Sequence, residues 1–381
     1  MLYTRTIEKR IRNNFFKEQI IVIYGPRQVG KTTMVKKFFD EYIGKKQFFR
    51  ADIPSERDIF KEAEPSRIMR MLDGAMLVII DEAQLIENIG VVLKVMFDTH
   101  PEIQFVVTGS SSFDLANKIR EPLTGRALEY MLYPLSYEEV LETKGGLFME
   151  QNFENTMMFG WYPKVFSLSN SEAKEHLEIL QNNTLYKDIL MLENIKKPAI
   201  LEKLIIYLAN NIGTVVRIGS VARTISTTDK TVERYVQILE KMFVIIKIFS
   251  YSRNPNNEIK GGYKIYFTDV GLRNSIIKNH NQSPVRLDKG ALFENLFIME
   301  RIKFLHNNGV SKNMYFWQNY QQVEVDYIEE SDGVFDVFEC KFSERSSKSV
   351  VLFKKEYVDQ VKNSFVVTKE NYKDFVSGEI L

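Results

Sequence analysis

Residues 25–32 read Gly-Pro-Arg-Gln-Val-Gly-Lys-Thr and match the pattern G-x-x-x-x-G-K-S/T. An apolar stretch precedes the pattern and a helical stretch follows it, which is the strand–loop–helix setting in which such a loop binds phosphate. Gly25 and Gly30 let successive backbone N–H groups converge on phosphate oxygens, and the start of the helix adds its positive end. The segment therefore predicts a nucleotide-binding loop.

The side chains of this loop can be assigned from the chemistry of phosphoryl transfer. Lys31 is expected to contact the β- and γ-phosphates of a nucleotide, and the Thr32 hydroxyl is expected to bind Mg²⁺. ATP and Mg²⁺ are thus the predicted cofactors, and the alternative is a glycine-rich turn that binds no ligand. The predicted nucleotide-binding residues are Gly25, Pro26, Arg27, Gln28, Val29, Gly30, Lys31, Thr32 and Thr33.

An acidic pair, Asp81 and Glu82, follows the apolar stretch Met76–Ile80. A buried parallel strand there would deliver the carboxylate of Asp81 to the sheet edge at which the phosphate loop lies. Asp81 is predicted to hold Mg²⁺, directly or through water, and Glu82 to polarise the attacking water as a general base. The alternative is an acidic pair that merely begins a loop.

Two further candidates follow the next apolar stretch, Gln104–Thr108. Ser110 is predicted to hydrogen-bond the attacking water or the γ-phosphate, with a helix N-cap as the alternative. Arg126 is predicted to reach a γ-phosphate of its own or of a neighbouring chain and to stabilise charge in the transition state. Arg120 is the rival for that role, and a plain surface arginine is the alternative for both.

Short apolar runs alternate with helical stretches from residue 19 to about residue 145. Such alternation is typical of a parallel sheet covered on both faces. The predicted strands are Gln19–Tyr24, Lys46–Phe49, Met76–Ile80 and Gln104–Thr108, and the predicted helices are Thr32–Tyr42, Pro65–Leu72 and Gly90–Thr99. Changes of pattern predict three parts: a nucleotide-binding domain with a helical extension (1–195), a middle segment (196–280) and a C-terminal α/β domain (281–381).

Seven motifs occur along the chain, at residues 25–33, 81–84, 108–111, 123–126, 162–163, 266–272 and 290–294. Together they resemble the motifs of one group of bacterial and archaeal AAA-type ATPases. The resemblance extends over nearly the whole chain and implies an AAA-like P-loop NTPase fold, followed by a C-terminal domain of unknown function. It leaves the physiological role open.

The middle segment is similar to a winged helix, because two helical patterns separated by a turn precede two strand patterns. Residues 200–275 contain eleven basic and six acidic side chains, a local excess of positive charge in a nearly neutral chain. DNA is therefore a predicted partner, with the second helix entering a groove. The alternative is a winged helix that serves packing or protein contacts. The predicted phosphate contacts are Arg217, Arg223, Lys230 and Arg234.

The C-terminal part contains acidic residues and a lysine in a spaced pattern. Asp326 lies on one probable strand, and Glu339 and Lys341 lie two residues apart on another, so that both face the same side. Two carboxylates from adjacent strands can bind Mg²⁺, and a nearby lysine can position water or stabilise the transition state. Glu294 lies in a helical pattern.

This arrangement resembles the metal site of restriction-endonuclease-like, PD-(D/E)xK nucleases. The resemblance implies that Glu294 is the helical acid, Asp326 and Glu339 are metal ligands and Lys341 is the catalytic lysine. Val325 stands where the motif has proline. Asp336 and Glu324, on the same strands, could equally be solvated charges, and Cys340 is expected in the core. The predicted fold class is α/β: an AAA-like P-loop domain, a winged-helix segment and a restriction-endonuclease-like domain.

The composition excludes several classes of protein. The 381 residues include 51 Lys and Arg against 50 Asp and Glu, so any nucleic-acid surface must be a local patch. One cysteine excludes a disulfide framework and a cysteine-built zinc or iron–sulfur site, and the four histidines are too widely spaced for a metal cluster. Without a signal-peptide core or an apolar run near the ~20 residues of a membrane span, we expect a cytoplasmic protein without a membrane partner.

Three functions compete. In the first, an ATPase cycle controls a tail that binds and cleaves DNA. In the second, the chain is an ATP-dependent protein-binding switch or regulator with a catalytically inactive nuclease-like tail. The third is a ring-forming remodeller or translocase, in which Arg126 would act between subunits. The sequence leaves the oligomeric state open.

Overall fold

A computed structural model describes residues 2–110, 122–182, 195, 197–252, 262–343 and 348–378. Arg120 lies outside the described residues. The chain divides into two compact units, which are described separately below. The N-terminal unit comprises residues 2–134 with 241–243, and the C-terminal unit comprises residues 135–240 with 244–381.

The N-terminal unit is built on a five-stranded sheet with the order β2-β3-β4-β1-β5, in which every neighbouring pair is parallel. Its strands are β1 (Ile20–Tyr24), β2 (Lys46–Arg50), β3 (Leu77–Asp81), β4 (Gln104–Gly109) and β5 (Ala127–Met131). The predicted parallel sheet is thus confirmed, and it fits a P-loop NTPase domain. The edge strand β5 was not predicted, because its side chains are mostly half-buried and form no continuous apolar run.

Helices cover this sheet. They are α1 (Glu8–Arg12), α2 (Lys31–Glu41), α3 (Pro54–Arg57), α4 (Pro65–Leu72) and α5 (Ile89–Thr99). The central strands β1, β3 and β4 are buried along their whole length. Runs of Val and Ile on these strands account for that burial, because a parallel strand with helices on both faces has no solvent-facing side.

The C-terminal unit contains ten described helices. They are α6 (Tyr137–Lys144), α7 (Gly146–Gln151), α8 (Phe153–Phe159), α9 (Asn170–Gln181), α10 (Pro198–Asn210), α11 (Ile218–Thr224), α12 (Asp229–Lys241), α13 (Val270–Ile276), α14 (Lys289–Asn308) and α15 (Lys348–Glu356). Across the described ranges, no helix is both long and apolar enough to cross a membrane.

One seven-stranded sheet runs through the C-terminal unit in the order β12-β11-β10-β9-β7-β8-β6. Its strands are β6 (Val215–Val216), β7 (Ile245–Ser250), β8 (Tyr263–Phe267), β9 (Asn313–Gln318), β10 (Glu324–Ser331), β11 (Val334–Cys340) and β12 (Val361–Val367). The hairpin β7–β8 joins the later strands because β7 pairs in parallel with β9. The sheet therefore contains strands from both sides of residue 280, and the two compact units divide after residue 134. The three predicted domain ranges stay a prediction.

Helices α8 and α13 of the C-terminal unit approach each other closely at Gly271. A Cβ atom on Gly271 would lie 2.1 Å from the carbonyl oxygen of Phe159, a backbone atom that cannot swing away. Glycine is therefore required by this packing. Gly290 lies in the first turn of α14, and a Cβ atom added to it would meet no heavy atom within 4 Å.

We expect Gly271→Ala to lower the free energy of unfolding by about 2 kcal/mol, because overpacking at a backbone contact displaces a helix. Urea denaturation followed by circular dichroism measures the loss. Gly290→Ala is the matched control and should be neutral or slightly stabilising, since alanine favours a helix. Equal stability of the two variants would contradict the close packing of α13 on α8.

Candidate nucleotide-binding site and acidic cluster

The predicted phosphate loop lies between the end of β1 and the start of α2. A Cβ atom on Gly25 would lie 2.1 Å from the carbonyl oxygen of Leu132, and Gly30 caps α2 with a φ of +102°. Gln28 also has a left-handed φ of +63°. The loop thus has a compact conformation that requires glycine at both ends of the motif.

A buried arginine that the sequence analysis missed holds this loop. The guanidinium of Arg5 donates to the carbonyl oxygens of Val29 at 2.7 Å and Tyr133 at 2.6 Å. It thereby joins the phosphate loop to the segment that follows β5. No sequence motif surrounds Arg5, and its partners lie 24 and 128 residues away, so no local signal could have identified it.

Lys31 is buried at the first position of α2. Its Nζ donates to the carbonyl oxygens of Gly25 and Pro26, each at 2.8 Å. Burial lowers the pKa of Lys31 to about 8, although the nearby carboxylates of Glu82 and Asp81 oppose this shift. The ammonium is therefore fixed within the loop and titrates close to the physiological range.

Asp81, at the end of β3, lies beside the loop as predicted from the parallel strands. Its Oδ2 accepts a hydrogen bond from the Thr32 hydroxyl at 2.8 Å, and its Oδ1 accepts one from the Thr108 hydroxyl at 2.5 Å. A hydroxyl and a carboxylate are hard oxygen ligands of the kind that Mg²⁺ prefers. The residues predicted to hold Mg²⁺ therefore fit that ion, while Thr108, which orients Asp81, was not predicted.

Glu82 and Ser110 are connected through Gln84. The Gln84 Nε2 donates to Glu82 Oε2 at 2.5 Å and to Ser110 Oγ at 3.1 Å, and Glu82 N donates to the Thr108 hydroxyl at 3.1 Å. The structure thus brings the predicted general base and the predicted polar residue together at the carboxyl ends of β3 and β4. Gln84 belongs to one of the motifs that carry the resemblance, but no role was predicted for it.

Arg126 lies at the end of the sheet where β1 begins, opposite the end that bears the phosphate loop. Its carbonyl oxygen accepts from Ile20 N at the start of β1, whereas the phosphate loop follows the end of β1. At about 3.3 Å per residue, these two ends of the strand are about 15 Å apart. The guanidinium pairs with Asp98 at 2.7 Å. Within its own chain Arg126 is thus directed away from the phosphate loop, and a role between chains stays a prediction.

In the C-terminal unit, Glu294 on α14, Asp326 on β10 and Glu339 on β11 form an acidic cluster. Lys341 Nζ pairs with Glu339 Oε1 at 2.9 Å, and Cys340 N donates to Asp326 Oδ2 at 2.8 Å. Glu339 Oε2 is buried and has no hydrogen-bond partner among the described residues. The four residues assigned by resemblance to a nuclease site are therefore neighbours.

A fifth residue, Lys264 on β8, enters the acidic cluster and was not predicted. Its side chain is fully buried, and its Nζ contacts Glu324 Oε1, lies 3.1 Å from Glu294 Oε1 and lies 3.9 Å from Asp326 Oδ1. The Tyr266 hydroxyl donates to the same Glu294 oxygen at 2.5 Å. Over the described part of the chain, no group of three or more His, Cys, Asp and Glu side chains is arranged to hold a metal ion.

The charges of the acidic cluster perturb one another. Burial, together with the neighbouring carboxylates of Glu294 and Glu339, raises the pKa of Asp326 well above its usual range. Burial acts against the charged form of Lys264, but Glu294, Asp326 and Glu324 outweigh it and raise the pKa of this lysine. Lys264 is thus an ammonium at every physiological pH.

The environments of three neighbours of the acidic cluster could not be determined from the sequence. Glu324 is not a solvated charge, because it pairs with Lys264. Asp336 is buried and pairs with Lys312 at 2.8 Å. Cys340 is half-buried rather than in the core. Sequence alternation alone places such residues on a face but does not identify partners contributed by other strands.

The four basic residues predicted to contact DNA are all exposed on or beside α11 and α12. Arg217 lines a polar cavity of about 420 Å³ together with Ser220, Gln318 and Glu324. The cavity therefore extends from the start of α11 to Glu324, which itself contacts Lys264 in the acidic cluster.

Family models match three successive parts of the chain. Residues 17–141 match the model described as AAA domain, residues 150–283 match a domain of unknown function (DUF8612), and residues 289–380 match a second one (DUF4143). Together with the parallel sheet and the phosphate loop, the first match defines the class: the N-terminal part is an AAA-type, P-loop ATPase-like domain. Two domains of unknown function follow it.

Similar proteins occur in bacteria and archaea. An uncharacterized protein of Haemophilus influenzae is 25% identical over 68% of this chain and 69% of its own length. The uncharacterized protein Rv2008c of Mycobacterium tuberculosis is 25% identical over 90% of this chain and 74% of its own. The uncharacterized protein MJ1637 of Methanocaldococcus jannaschii is 23% identical over 80% and 72%.

Two solved structures are similar over large parts of their chains. One is a structure of the Drosophila ORC bound to AT-rich DNA and Cdc6, with 12% identity, coverage of 71% of this chain and 92% of that chain, and a TM-score of 0.26. The other is protein VC1899 from Vibrio cholerae, with 11% identity, coverage of 93% and 96%, and a TM-score of 0.18. At such TM-scores neither similarity bears on fold or function.

The lowered pKa of Lys31 predicts a pH dependence of ATP binding. The ammonium form binds phosphate, so above pH 8 the free protein must take up a proton on binding. We expect ATP affinity, measured by calorimetry, to fall about tenfold between pH 7.5 and pH 9. Lys31→Arg is the control, because a guanidinium does not titrate in this range. If ATP affinity changed with pH in the same way in the wild type and in Lys31→Arg, the lowered pKa of Lys31 would be contradicted.

Proposed function

We propose that the chain is a Mg²⁺-dependent ATPase whose nucleotide state controls DNA binding by its C-terminal half. The observation that carries the ATPase part is the convergence of Lys31, Thr32 and Asp81 at one edge of the parallel sheet. Lys31 would bind the β- and γ-phosphates, and Thr32 and Asp81 would hold the metal ion. Mg²⁺, when bound, would neutralise charge on the phosphates.

Glu82 is the proposed general base. It follows the metal-binding strand directly, and the contact from Gln84 orients its carboxylate. Gln84 also donates to the Ser110 hydroxyl, and the Thr108 hydroxyl accepts from the backbone N–H of Glu82, so the residues that follow β3 and β4 together position the water-polarising glutamate. A base positioned in this way contributes about 10²–10⁴-fold to a hydrolysis rate.

The DNA-binding part of the proposal has a different support. Helices α11 and α12 followed by the hairpin β7–β8 have the element order of a winged helix, and Arg217, Arg223, Lys230 and Arg234 are exposed there. Exposed cations on such helices can contact backbone phosphates.

The C-terminal sheet supports two forms of this proposal. Helix α14, the antiparallel strands β9, β10 and β11, helix α15 and the parallel strand β12 follow one another in the order of a restriction-endonuclease-like domain. With Asp326, Glu339 and Lys341 as neighbours, that order favours DNA cleavage. The contacts of Lys264 favour the second form, a binding switch with an inactive nuclease-like tail.

ATP hydrolysis by purified variants tests the ATPase part. Lys31→Ala should lose ATP binding, since the ammonium that contacts the phosphates is removed. Glu82→Gln should still bind ATP but hydrolyse it at least 100-fold more slowly, because an amide cannot act as a base. Phosphate release measures the rate, and calorimetry measures the affinity.

Glu87→Gln is the matched control, because Glu87 is an exposed glutamate five residues after Glu82. It should hydrolyse ATP at the wild-type rate. Unchanged nucleotide affinity in Lys31→Ala would refute the proposed site, and a wild-type rate in Glu82→Gln would remove this residue from the mechanism.

The same preparations serve for the DNA part of the proposal, measured by fluorescence anisotropy with and without ATP. Replacing the four exposed cations by alanine should weaken DNA binding. It should also make the slope of log K against log salt concentration shallower by about 0.9 for each lost phosphate contact. Lys174→Ala, an exposed substitution on α9, should change neither. Identical salt slopes for all three proteins would favour a protein-binding role.

A further inference from the structure

We infer that Lys264 is a built-in cation that takes the place of a divalent metal ion in the acidic cluster, so that the C-terminal domain does not cleave DNA. This inference rests on the proposed function only in treating the tail as nuclease-like, and it decides between the two forms of that proposal. It assigns the cluster to the inactive, binding form.

The position of Lys264 is fixed by its strand. β8 lies between β7 and β6, and Lys264 pairs with Ile248 on one side and Val215 on the other. Its side chain is 0% exposed. Pairing on both sides fixes the backbone of Lys264 beside the cluster, and its fully buried ammonium has the carboxylates of Glu294 and Glu324 as partners.

The ammonium uses the oxygens that a metal ion would need. It contacts Glu294 and Glu324 and lies 3.9 Å from Asp326 Oδ1. The other Asp326 oxygen accepts from Cys340 N. A divalent ion bound to Asp326 would therefore lie within a few ångströms of a buried positive charge, where their repulsion is only weakly screened.

Glu339 has only one carboxylate oxygen without a partner among the described residues. Lys341 pairs with its Oε1, and Oε2 is the buried oxygen without a hydrogen bond among the described residues. Mg²⁺ keeps several of its waters and is usually held by one or two carboxylates, and a buried pocket already filled by an ammonium has little room for such a hydrated ion. The side chains present at the cluster thus fit two lysine ammonium groups better than a metal ion.

The cluster then has a connecting role. Through Glu294, Lys264 and Tyr266 bind α14 to β8, and through Glu324 Lys264 binds β8 to the start of β10. Gly213, in the turn before β6, packs against the same Glu294 carboxylate, since a Cβ atom there would lie 3.1 Å from its Oε1. The cluster therefore joins the segment that bears Arg217 to the C-terminal strands.

Mn²⁺ binding to the full chain without nucleotide, followed by electron paramagnetic resonance, tests the inference. Mg²⁺ sites of the phosphate-loop kind depend on nucleotide phosphates and should contribute little without them. Wild type and Asp326→Asn should bind Mn²⁺ equally weakly. Lys264→Met should gain at least tenfold in Mn²⁺ affinity, because the carboxylates lose their internal cation, and adding Asp326→Asn should remove that gain.

Lys312→Met is the matched control. Lys312 also contacts two carboxylates of this sheet, but Arg301 still pairs with one of them, Glu329, when the lysine is gone. This variant should gain no Mn²⁺ site. Thermal unfolding checks that each variant is folded, and Lys264→Gln, which keeps a hydrogen-bond donor, replaces Lys264→Met if the latter does not fold.

Three results would overturn the inference. They are a wild-type Mn²⁺ site that Asp326→Asn abolishes, Mn²⁺-dependent DNA cleavage that Asp326→Asn abolishes, and a folded Lys264→Met or Lys264→Gln protein without any gain in Mn²⁺ affinity. None of them depends on ATP, so failure here is distinct from failure of the ATPase proposal, which is decided by Lys31→Ala.

Discussion

The proposed nucleotide site depends on the two hydrogen bonds that the carboxylate of Asp81 accepts, one from Thr32 and one from Thr108. They connect the end of β3 to the phosphate loop's helix and to the end of β4, so three elements meet at one carboxylate. Parallel strands buried on both faces bring these ends to the same edge. Arg5 then holds the loop from its other side. The site is thus assembled from backbone geometry before any ligand contributes.

A different constraint governs the C-terminal unit. The Lys264 ammonium on β8 is fully buried, and burial of an uncompensated charge is strongly unfavourable. Lys264 is therefore compatible with the fold only because Glu294 and Glu324 contact it and Asp326 lies close by. The same contacts that stabilise the sheet reduce the capacity of the cluster for a metal ion. Stability and the absence of cleavage would then have one physical cause.

The sequence predicted those features whose residues are close together in the chain or follow buried strands. Gly25 to Thr32 lie in one segment, and Asp81 follows an apolar run, so both could be placed at one sheet edge. Arg5 could not be predicted, because its partners are brought to it only by the completed sheet. Lys264 could not be predicted for the same reason. Within Tyr-Lys-Ile-Tyr-Phe it has the pattern of an ordinary strand lysine, and its partners are contributed by α14 and β10.

A crystal structure of the protein with a non-hydrolysable ATP analogue and Mn²⁺ would test this account most directly, because anomalous scattering locates the metal at both candidate sites. We predict one Mn²⁺ peak beside Thr32 and Asp81, with the Lys31 ammonium on the phosphates. We predict no peak between Asp326 and Glu339. A missing first peak would contradict the ATPase site, and a second peak at the acidic cluster would contradict the role of Lys264.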